Sequence, residues 1–371
     1  MIDRDELGAW LRLVETPQVG GASARRLLAA FGSPQAVIGA TSAARRQVIG
    51  AAPAEALAVS SATIDALIDR TWAWLHGAAD AAVARDVITL GDPHYPAALL
   101  ATADPPLLLH AEGRIELLGA DSLAVVGSRN PTAQGLDNAR AFSAHLSGAG
   151  LTVVSGLALG IDGAAHAGGL EGAASTIAVV GTGLDQVYPS RHRQLATRIA
   201  AAGLVVSEYT LGTPPLAAQF PQRNRIIAGL ARGTLVVEAA LQSGSLITAR
   251  LAAEAGREVF AIPGSIHAPQ SRGCHALIKQ GAKLVDGADD ILEELRWPGT
   301  RAARAGPPPA VPPDGADPVL AALGFDPVTL DALVARTGWP ASELNIRLLD
   351  LELDGRVARL PGQLFQRIGQ A

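Results

Sequence analysis

The stretch LTVVSGLALGID, residues 151–162, decides the fold that we expect for this chain. It begins with a short apolar run suited to a buried strand, and it continues through a loop of small residues that contains Gly156 and Gly160. The stretches AVVGSR (124–129) and IAVVGTG (177–183) repeat this arrangement. Buried strands that alternate with helices predict a parallel sheet with right-handed crossovers and a ligand site at the carboxyl ends of its strands.

Further apolar runs extend this sheet along the chain. The runs at 205–207, 234–238, 258–262 and 283–285 are typical of later strands. Segment 86–118 contains several prolines, and we predict that it leads into the sheet domain and does not fold independently. We therefore assign residues 81–297 to one α/β domain with a parallel sheet.

Different patterns flank this domain. Residues 1–80 form short helices in our prediction, and the glycine turn at 17–23 resembles a helix-hairpin-helix or SAM-like unit. Such a turn either holds a DNA phosphate or serves as a packing module, and both alternatives stay open. Residues 298–318 are rich in proline, glycine and alanine and predict an extended linker.

The last segment, 319–371, predicts a winged helix. Helical patterns at 319–323, 329–336 and 341–353 precede a turn at Asp354 and Gly355 that is flanked by apolar residues. The third helix carries Asn345 and Arg347 among several acidic residues. This acidic composition favours a protein contact over direct DNA reading by this domain.

Composition limits the function classes. The chain has 371 residues, of which 49% are hydrophobic and 18% charged, and its formal net charge is −5. The hydrophobic content predicts a folded protein. Because the net charge is negative, any phosphate contact must come from a local basic cluster. With Cys274 as its one cysteine, the chain has no internal disulfide and no Cys-pair zinc site. We expect no signal peptide, no membrane span, no metal and a cytoplasmic location.

A local basic cluster lies in FPQRNRIIAGL, residues 220–230. Its two arginines and one amide precede an apolar run, and together with the small-residue loops they suit an anion, since hydroxyls, amides and guanidiniums bind phosphate oxygens. The sequence GTG at 181–183 is too short for a dinucleotide fingerprint, so we expect no cofactor.

Catalytic candidates are few. Asp162 and His166 are four residues apart on a predicted helix, and Asp185, Glu208 and Glu238 are the other acidic candidates. The first pair is more typical of a helix-start acid and a neighbouring histidine than of a catalytic pair. The last two suit backbone hydrogen bonds or ion pairs with Arg223 or Arg225. We therefore do not expect an enzyme.

Taken together, GSR (127–129), SGLALGID (155–162), FPQRNRII (220–227) and GSLITA (244–249) resemble the DprA (Smf) family of DNA-processing proteins. The resemblance implies an extended Rossmann-like domain that dimerises and binds single-stranded DNA without sequence preference. It also implies protection of incoming strands in natural transformation and loading of the RecA recombinase. The DNA-binding residues carried over or inferred nearby are Gly127, Ser128, Arg129, Ser155, Gly156, Arg191, Arg193, Arg223, Asn224, Arg225, Ser243, Gly244 and Ser245.

Two other functions remain as alternatives. The lysine-decarboxylase-like family, whose members hydrolyse nucleoside monophosphates, shares this kind of sheet, but its Pro-Gly-Gly loop is missing after Glu238. A protein-interaction scaffold with an unused anion site is the second alternative. For the implied dimer, we expect the contact in the segment 262–284, which contains Ile266, His267, Leu277 and Ile278.

Overall fold

The computed structural model describes residues 2–59, 61–77, 83–298, 317–324 and 327–368. Nearly all of the predicted linker, 298–318, therefore lies outside the described residues. No helix in the described ranges is long and apolar enough to cross a membrane.

Six helices form the N-terminal part of the described chain. They are α1 (Arg4–Glu15), α2 (Gly21–Phe31), α3 (Pro34–Gly39), α4 (Ser42–Ile49), α5 (Ala51–Ala56) and α6 (Ala62–His76). The glycine turn separates α1 from α2, and α2 ends at Gly32, whose φ of 86° suits glycine. Leu7, Leu11 and Leu27 are fully buried in a cluster that also includes Leu108 of the sheet. This shared core joins the helices to one edge of the sheet.

Nine strands form the main sheet. They are β1 (Arg85–Thr89), β2 (Leu108–Gly113), β3 (Ser122–Val126), β4 (Thr152–Ser155), β5 (Thr176–Val179), β6 (Leu204–Ser207), β7 (Gly233–Val236), β8 (Glu258–Ala261) and β9 (Lys283–Leu284). Their order is β1-β2-β6-β5-β4-β3-β7-β8-β9. The seven strands from β3 to β9 pair in parallel, whereas β2 pairs antiparallel with β6 and with β1. The predicted parallel α/β sheet is confirmed, and the proline-rich lead-in supplies its antiparallel edge.

Both faces of the sheet are covered. Ala124 and Val126 belong to one buried cluster, while Leu123 and Val125 belong to another. Since alternate residues of a strand point to opposite faces, a run buried on both sides is continuously apolar, and this explains why these strands were readable from sequence. The covering helices are α7 (Ala97–Leu100), α8 (Ala133–Gly148), α9 (Ile161–Gly169), α10 (Arg193–Ala202), α11 (Gln219–Leu230), α12 (Ser245–Glu254), α13 (Arg272–Lys279) and α14 (Ala288–Glu294).

The C-terminal part has its own core and matches the predicted winged helix. Its elements are α15 (Pro318–Leu323), β10 (Val328–Thr329), α16 (Leu330–Thr337), α17 (Ala341–Leu353), β11 (Val357–Leu360) and β12 (Leu364–Arg367). The last two strands form a hairpin, and β10 pairs with β12. Leu320, Leu333, Leu348 and Phe365 meet in one buried cluster, which gives each element an apolar anchor.

Candidate nucleic-acid interface

A crevice opens where the strand order of the sheet reverses. β3 has β4 on one side and β7 on the other, so the loops after β3 and β7 diverge at their carboxyl ends. The crevice has a volume of about 700 Å³. Its walls come from the segments 126–130, 215–224 and 240–248, together with Ala158, Asp162 and Tyr188.

The loop after β3 is held by close backbone contacts. Ser128 N donates to the carbonyl oxygen of Glu238 at 2.7 Å, and Ile161 N donates to the carbonyl oxygen of Ser128 at 3.1 Å. Gly160 has a φ of 80°, and a Cβ there would lie 2.4 Å from that Ser128 oxygen. Only glycine fits such an approach, which fixes the direction in which Arg129 leaves the loop.

Glu238 fastens the far end of the same loop. Its carboxylate accepts hydrogen bonds from Thr132 N at 3.0 Å and from Thr132 Oγ1 at 2.5 Å. Thr132 Oγ1 in turn accepts from Gly135 N at 3.0 Å and so caps α8. The carboxylate is thus engaged in positioning a helix start, in line with the expected backbone hydrogen bond.

An exposed arginine lies beside two aromatic rings in the crevice. The guanidinium of Arg129 lies 5.9 Å from the ring centroid of Phe220, and the ring of Tyr188 lies 5.4 Å from that of Phe220. Tyr188 is 48% exposed. Together these side chains place a cation beside two aromatic rings in the crevice, a combination suited to a phosphate and a stacked base.

Arg223 has a different environment from Arg129. It is 4% exposed, and its Nη1 donates to the carbonyl oxygens of Gly156, at 2.5 Å, and of Val179. Its Nε donates to Asn224 Oδ1 at 3.0 Å. Burial lowers the pKa of Arg223 to about 10, with further effects from Asp162 and Arg129. Arg223 therefore joins α11 to the ends of β4 and β5.

Arg225 points away from the crevice walls. Its guanidinium is paired with Glu208 and with Asp104, the latter through Nε at 3.1 Å. Its Nη1 also donates to the carbonyl oxygen of Asp104 at 2.9 Å. Burial raises the pKa of Glu208, and the positive charge of Arg225 opposes that rise. The possible pairing of Glu208 with Arg225 is therefore found.

The amides of the loop after β4 are already occupied. Asp162 accepts from Gly156 N at 3.2 Å and from Ala158 N at 3.3 Å, while Nε2 of His166 accepts from Leu157 N at 3.3 Å. Nδ1 of His166 lies 2.7 Å from Thr176 Oγ1. Burial lowers the pKa of His166 to about 3, so its ring is neutral, and burial raises the pKa of Asp162. The amides of this loop, which we expected to face an anion, are therefore hydrogen-bonded to two side chains of α9.

The structure brings together only part of the predicted DNA-binding set. The residues that line the crevice are Gly127, Ser128, Arg129, Arg223, Asn224, Ser243, Gly244 and Ser245. Ser155 is fully buried, its Oγ donates to the carbonyl oxygen of Val125 at 2.6 Å, and it does not line the crevice. Gly156 lies against the guanidinium of Arg223. Arg191 and Arg193 are exposed but lie outside the crevice lining.

The remaining loops complete the crevice. Ser243 Oγ and Ser245 Oγ lie 2.7 Å apart at the start of α12, and Asn224 Nδ2 donates to the carbonyl oxygen of Gly244 at 3.5 Å. Asp185 accepts from Gly212 N at 2.7 Å and does not line the crevice. In the described ranges, no group of three or more histidine, cysteine, aspartate or glutamate residues could hold a metal.

Sequence reasoning missed the two aromatic side chains of the crevice, Phe220 and Tyr188, which we call the aromatic wall. Phe220 and Tyr188 were read only as parts of motifs, and Asn130 and Gln242 were not singled out. The available signal was the position of Phe220, three residues before Arg223. In a helix that spacing brings two residues to neighbouring positions on the surface.

Family comparisons agree with this architecture. The family described as DNA recombination-mediator protein A matches residues 86–296, and the DprA winged helix domain matches residues 303–363. Protein Smf from Escherichia coli (strain K12) is 46% identical over 275 residues, which cover 72% of this chain and 74% of that protein. DNA processing protein DprA from Streptococcus pneumoniae is 49% identical over 206 residues, with 56% and 73% covered.

Solved structures are also similar. DNA processing protein A (DprA) from Streptococcus pneumoniae has a TM-score of 0.68 at 36% identity, covering 79% of this chain and 98% of that one. A structure from Helicobacter pylori, described as giving insights into the single-stranded DNA binding mode of DNA processing protein A, has a TM-score of 0.51 at 29% identity. It covers 57% of this chain and 96% of that one.

Proposed function

The chain belongs to the DNA recombination-mediator protein A family, and we propose that it binds single-stranded DNA in the crevice after β3 and β7. The observation that carries this proposal is the exposed Arg129 guanidinium beside the Phe220 ring. A strand that crosses there meets a positive charge for its phosphate and a ring face for its base. Neither contact reads a base edge, so we expect no sequence preference.

The crevice lining supports a phosphate-bearing ligand, and one carboxylate argues against the enzymatic alternative. One wall consists of hydroxyl-bearing and small residues at Ser128, Ser243 and Gly244. Arg129 makes no ion pair with another described side chain, so its charge is available to a ligand. The carboxylate of Glu238 is occupied by Thr132, which argues against its use as a catalytic base in nucleoside-monophosphate hydrolysis.

The wider role that we propose follows the family. The protein protects incoming single strands during natural transformation, helps to load RecA onto them, and acts in the cytoplasm as a homodimer and not as an enzyme. The exposed side chains of Ile266, 74% accessible, and Leu284, 48% accessible, support a self-contact along the segment 262–284. Arg191 and Arg193, both exposed, remain proposed contacts for a strand that leaves the crevice.

Fluorescence anisotropy tests the central proposal. A labelled oligothymidine and its duplex counterpart are titrated with the full chain at two salt concentrations, alongside an Arg129→Ala/Phe220→Ala variant. We expect tighter binding of the single strand, a steep loss of affinity with salt, and a loss of about a hundredfold in the variant. Absence of single-strand binding by the unaltered protein would reject the function. Intact binding by the variant would reject only the site.

A further inference from the structure

The third helix of the winged helix, α17, exposes a stripe of large apolar side chains. Ile346, Leu349 and Leu353 are 65%, 55% and 79% exposed. Their spacing of three and four residues puts them on one side of the helix, one above the other. We call these three residues the α17 stripe.

The fold of the C-terminal part does not use this stripe. Leu344, Leu348 and Leu351 form the opposite side of α17 and are buried in the local core. A contiguous apolar surface that the core leaves exposed is a common mark of an interaction site. The stripe is therefore available to another molecule.

Acidic side chains border the stripe. Glu343 and Asp350 follow one flank and Glu352 follows the other, and all three are exposed. The one basic residue of α17, Arg347, is paired with Asp317 through Nε at 2.8 Å and approaches Asp350 at 3.8 Å. The face thus combines an apolar centre with a negative border, and this border repels both nucleic-acid phosphates and the same face of a second copy.

We propose that the α17 stripe docks an amphipathic helix of a partner protein, with apolar residues at its centre and lysine or arginine along its edges. An apolar helix face binds such a segment through side chains at i, i+3 and i+7. The acidic border selects a basic partner and speeds its association, because opposite charges steer the encounter. This proposal gives the winged helix a protein-binding role that is separate from DNA binding in the crevice.

A defined probe tests this docking surface. The full chain is titrated with a fluorescein-labelled model peptide that carries leucines at i, i+3 and i+7 and lysines beside them. Control peptides have the same composition in shuffled order, or glutamate in place of lysine. Two variants are compared with the unaltered protein: Ile346→Ser/Leu353→Ser, which removes the apolar centre, and Glu343→Gln/Glu352→Gln, which removes charge and keeps size. Leu100→Ser, at an exposed leucine of α7, is the matched control.

The expected result is selective binding of the leucine-lysine peptide. Affinity should fall at least about tenfold in the serine variant, and the charge variant should bind more weakly and with less salt dependence. The Leu100→Ser control should be unchanged, and all variants should keep their affinity for oligothymidine. Equal binding of the shuffled peptide, or binding unaffected by both variants, would overturn the proposal. If the unaltered protein self-associates or binds duplex DNA and the serine variant does not, the α17 stripe binds a second copy or DNA. Either result would also overturn the proposal.

Discussion

Arg223 and Gly156 are 67 positions apart in the sequence, yet a guanidinium nitrogen of the first lies 2.5 Å from the carbonyl oxygen of the second. A Cβ on Gly156 would lie 2.3 Å from the same guanidinium. The contact joins α11, which carries Phe220, to the end of β4. One buried arginine therefore holds the aromatic wall of the crevice against the sheet.

Removing that arginine should destabilise the fold more than removing its neighbour. Arg223→Met leaves two buried carbonyl oxygens without their donor and removes the charge near Asp162, so we expect a loss of about 3 kcal/mol in the free energy of unfolding. Arg225→Met breaks two partly exposed ion pairs, with Glu208 and with Asp104, and should cost about 1 kcal/mol. Urea denaturation of both variants measures the difference. Equal losses would contradict the assignment of Arg223 as the buried link.

Arg129 should strengthen DNA binding through its positive charge, and to the same extent for every DNA sequence. Arg129→Ala should weaken binding of oligothymidine and of mixed-sequence strands alike, by about tenfold at low salt, and should reduce the salt slope by about 0.7. Arg114→Ala is the control, because Arg114 follows β2 beside the amino end of β6, at the end of the strands opposite to the crevice, and is paired with Glu116 at 2.9 Å. Anisotropy titrations over several salt concentrations give both quantities. If the Arg129→Ala variant has the same salt slope as the control, Arg129 does not contact a DNA phosphate.

Phe220 should act through stacking. Phe220→Leu keeps an apolar side chain but removes the aromatic face, and each stacked base contributes about 1–3 kcal/mol. We expect weaker binding of oligothymidine with an unchanged salt slope, which separates this variant from Arg129→Ala. Binding to an abasic strand serves as the control, since it should be equal for both proteins. A preserved affinity for oligothymidine would show that no base lies on this ring.

Gly160 should tolerate no side chain. In Gly160→Ala the new Cβ would lie 2.4 Å from the Ser128 carbonyl oxygen at a φ of 80°, so the loop that carries Arg129 must shift. We expect both reduced stability and weaker single-strand binding. Gly148→Ala is the matched control, since nothing lies within 4 Å of that position at the end of α8, and it should be neutral or stabilising by up to about 1 kcal/mol. Thermal unfolding and anisotropy together decide the comparison.

Two buried histidines should make the free energy of unfolding depend on pH. Burial lowers the pKa of His110 to about 4 and that of His166 to about 3, against about 6.5 in an unfolded chain. Below about pH 6.5 each histidine gains a proton when the chain unfolds. Its contribution to the free energy of unfolding is therefore fully present above that pH and is lost as the pH falls toward the pKa of the histidine in the folded protein. The raised pKa values of Asp162 and Glu208 act in the opposite direction where those carboxyls titrate.

Urea denaturation between neutral pH and about pH 5 measures this dependence. His110→Leu, of similar size and uncharged, should flatten it by up to about 1.4 kcal/mol per pH unit. An Arg198→Ala variant, at an exposed arginine of α10, should keep the original slope. If His110→Leu keeps the same slope, the pH dependence of stability does not come from His110.

Much of the fold was predictable from the sequence, because its signals are local. Strands such as β3 and β4 are buried on both faces, so they appear as continuous apolar runs followed by small-residue loops. The three helices and the hairpin of the winged helix were found in the same way. The edge strands β1 and β2 were less clear, since the antiparallel pairing depends on β6, which lies far along the chain.

The candidate site was predictable only in part. The sequence by itself determined that Arg223, Asn224 and Arg225 form a local basic cluster, but it did not place them on a helix. Residues two positions apart on a helix point about 200° apart around its axis, so Arg223 and Arg225 leave α11 on nearly opposite sides. Only the tertiary structure decided that Arg223 is buried against Gly156 and Val179 while Arg225 pairs with Glu208 and Asp104. Likewise, the spacing of Asp162 and His166 placed them on one face, but packing directed that face to the amides of residues 156–158. The physical reason is that helix periodicity fixes relative directions, whereas burial depends on which surfaces the sheet brings together.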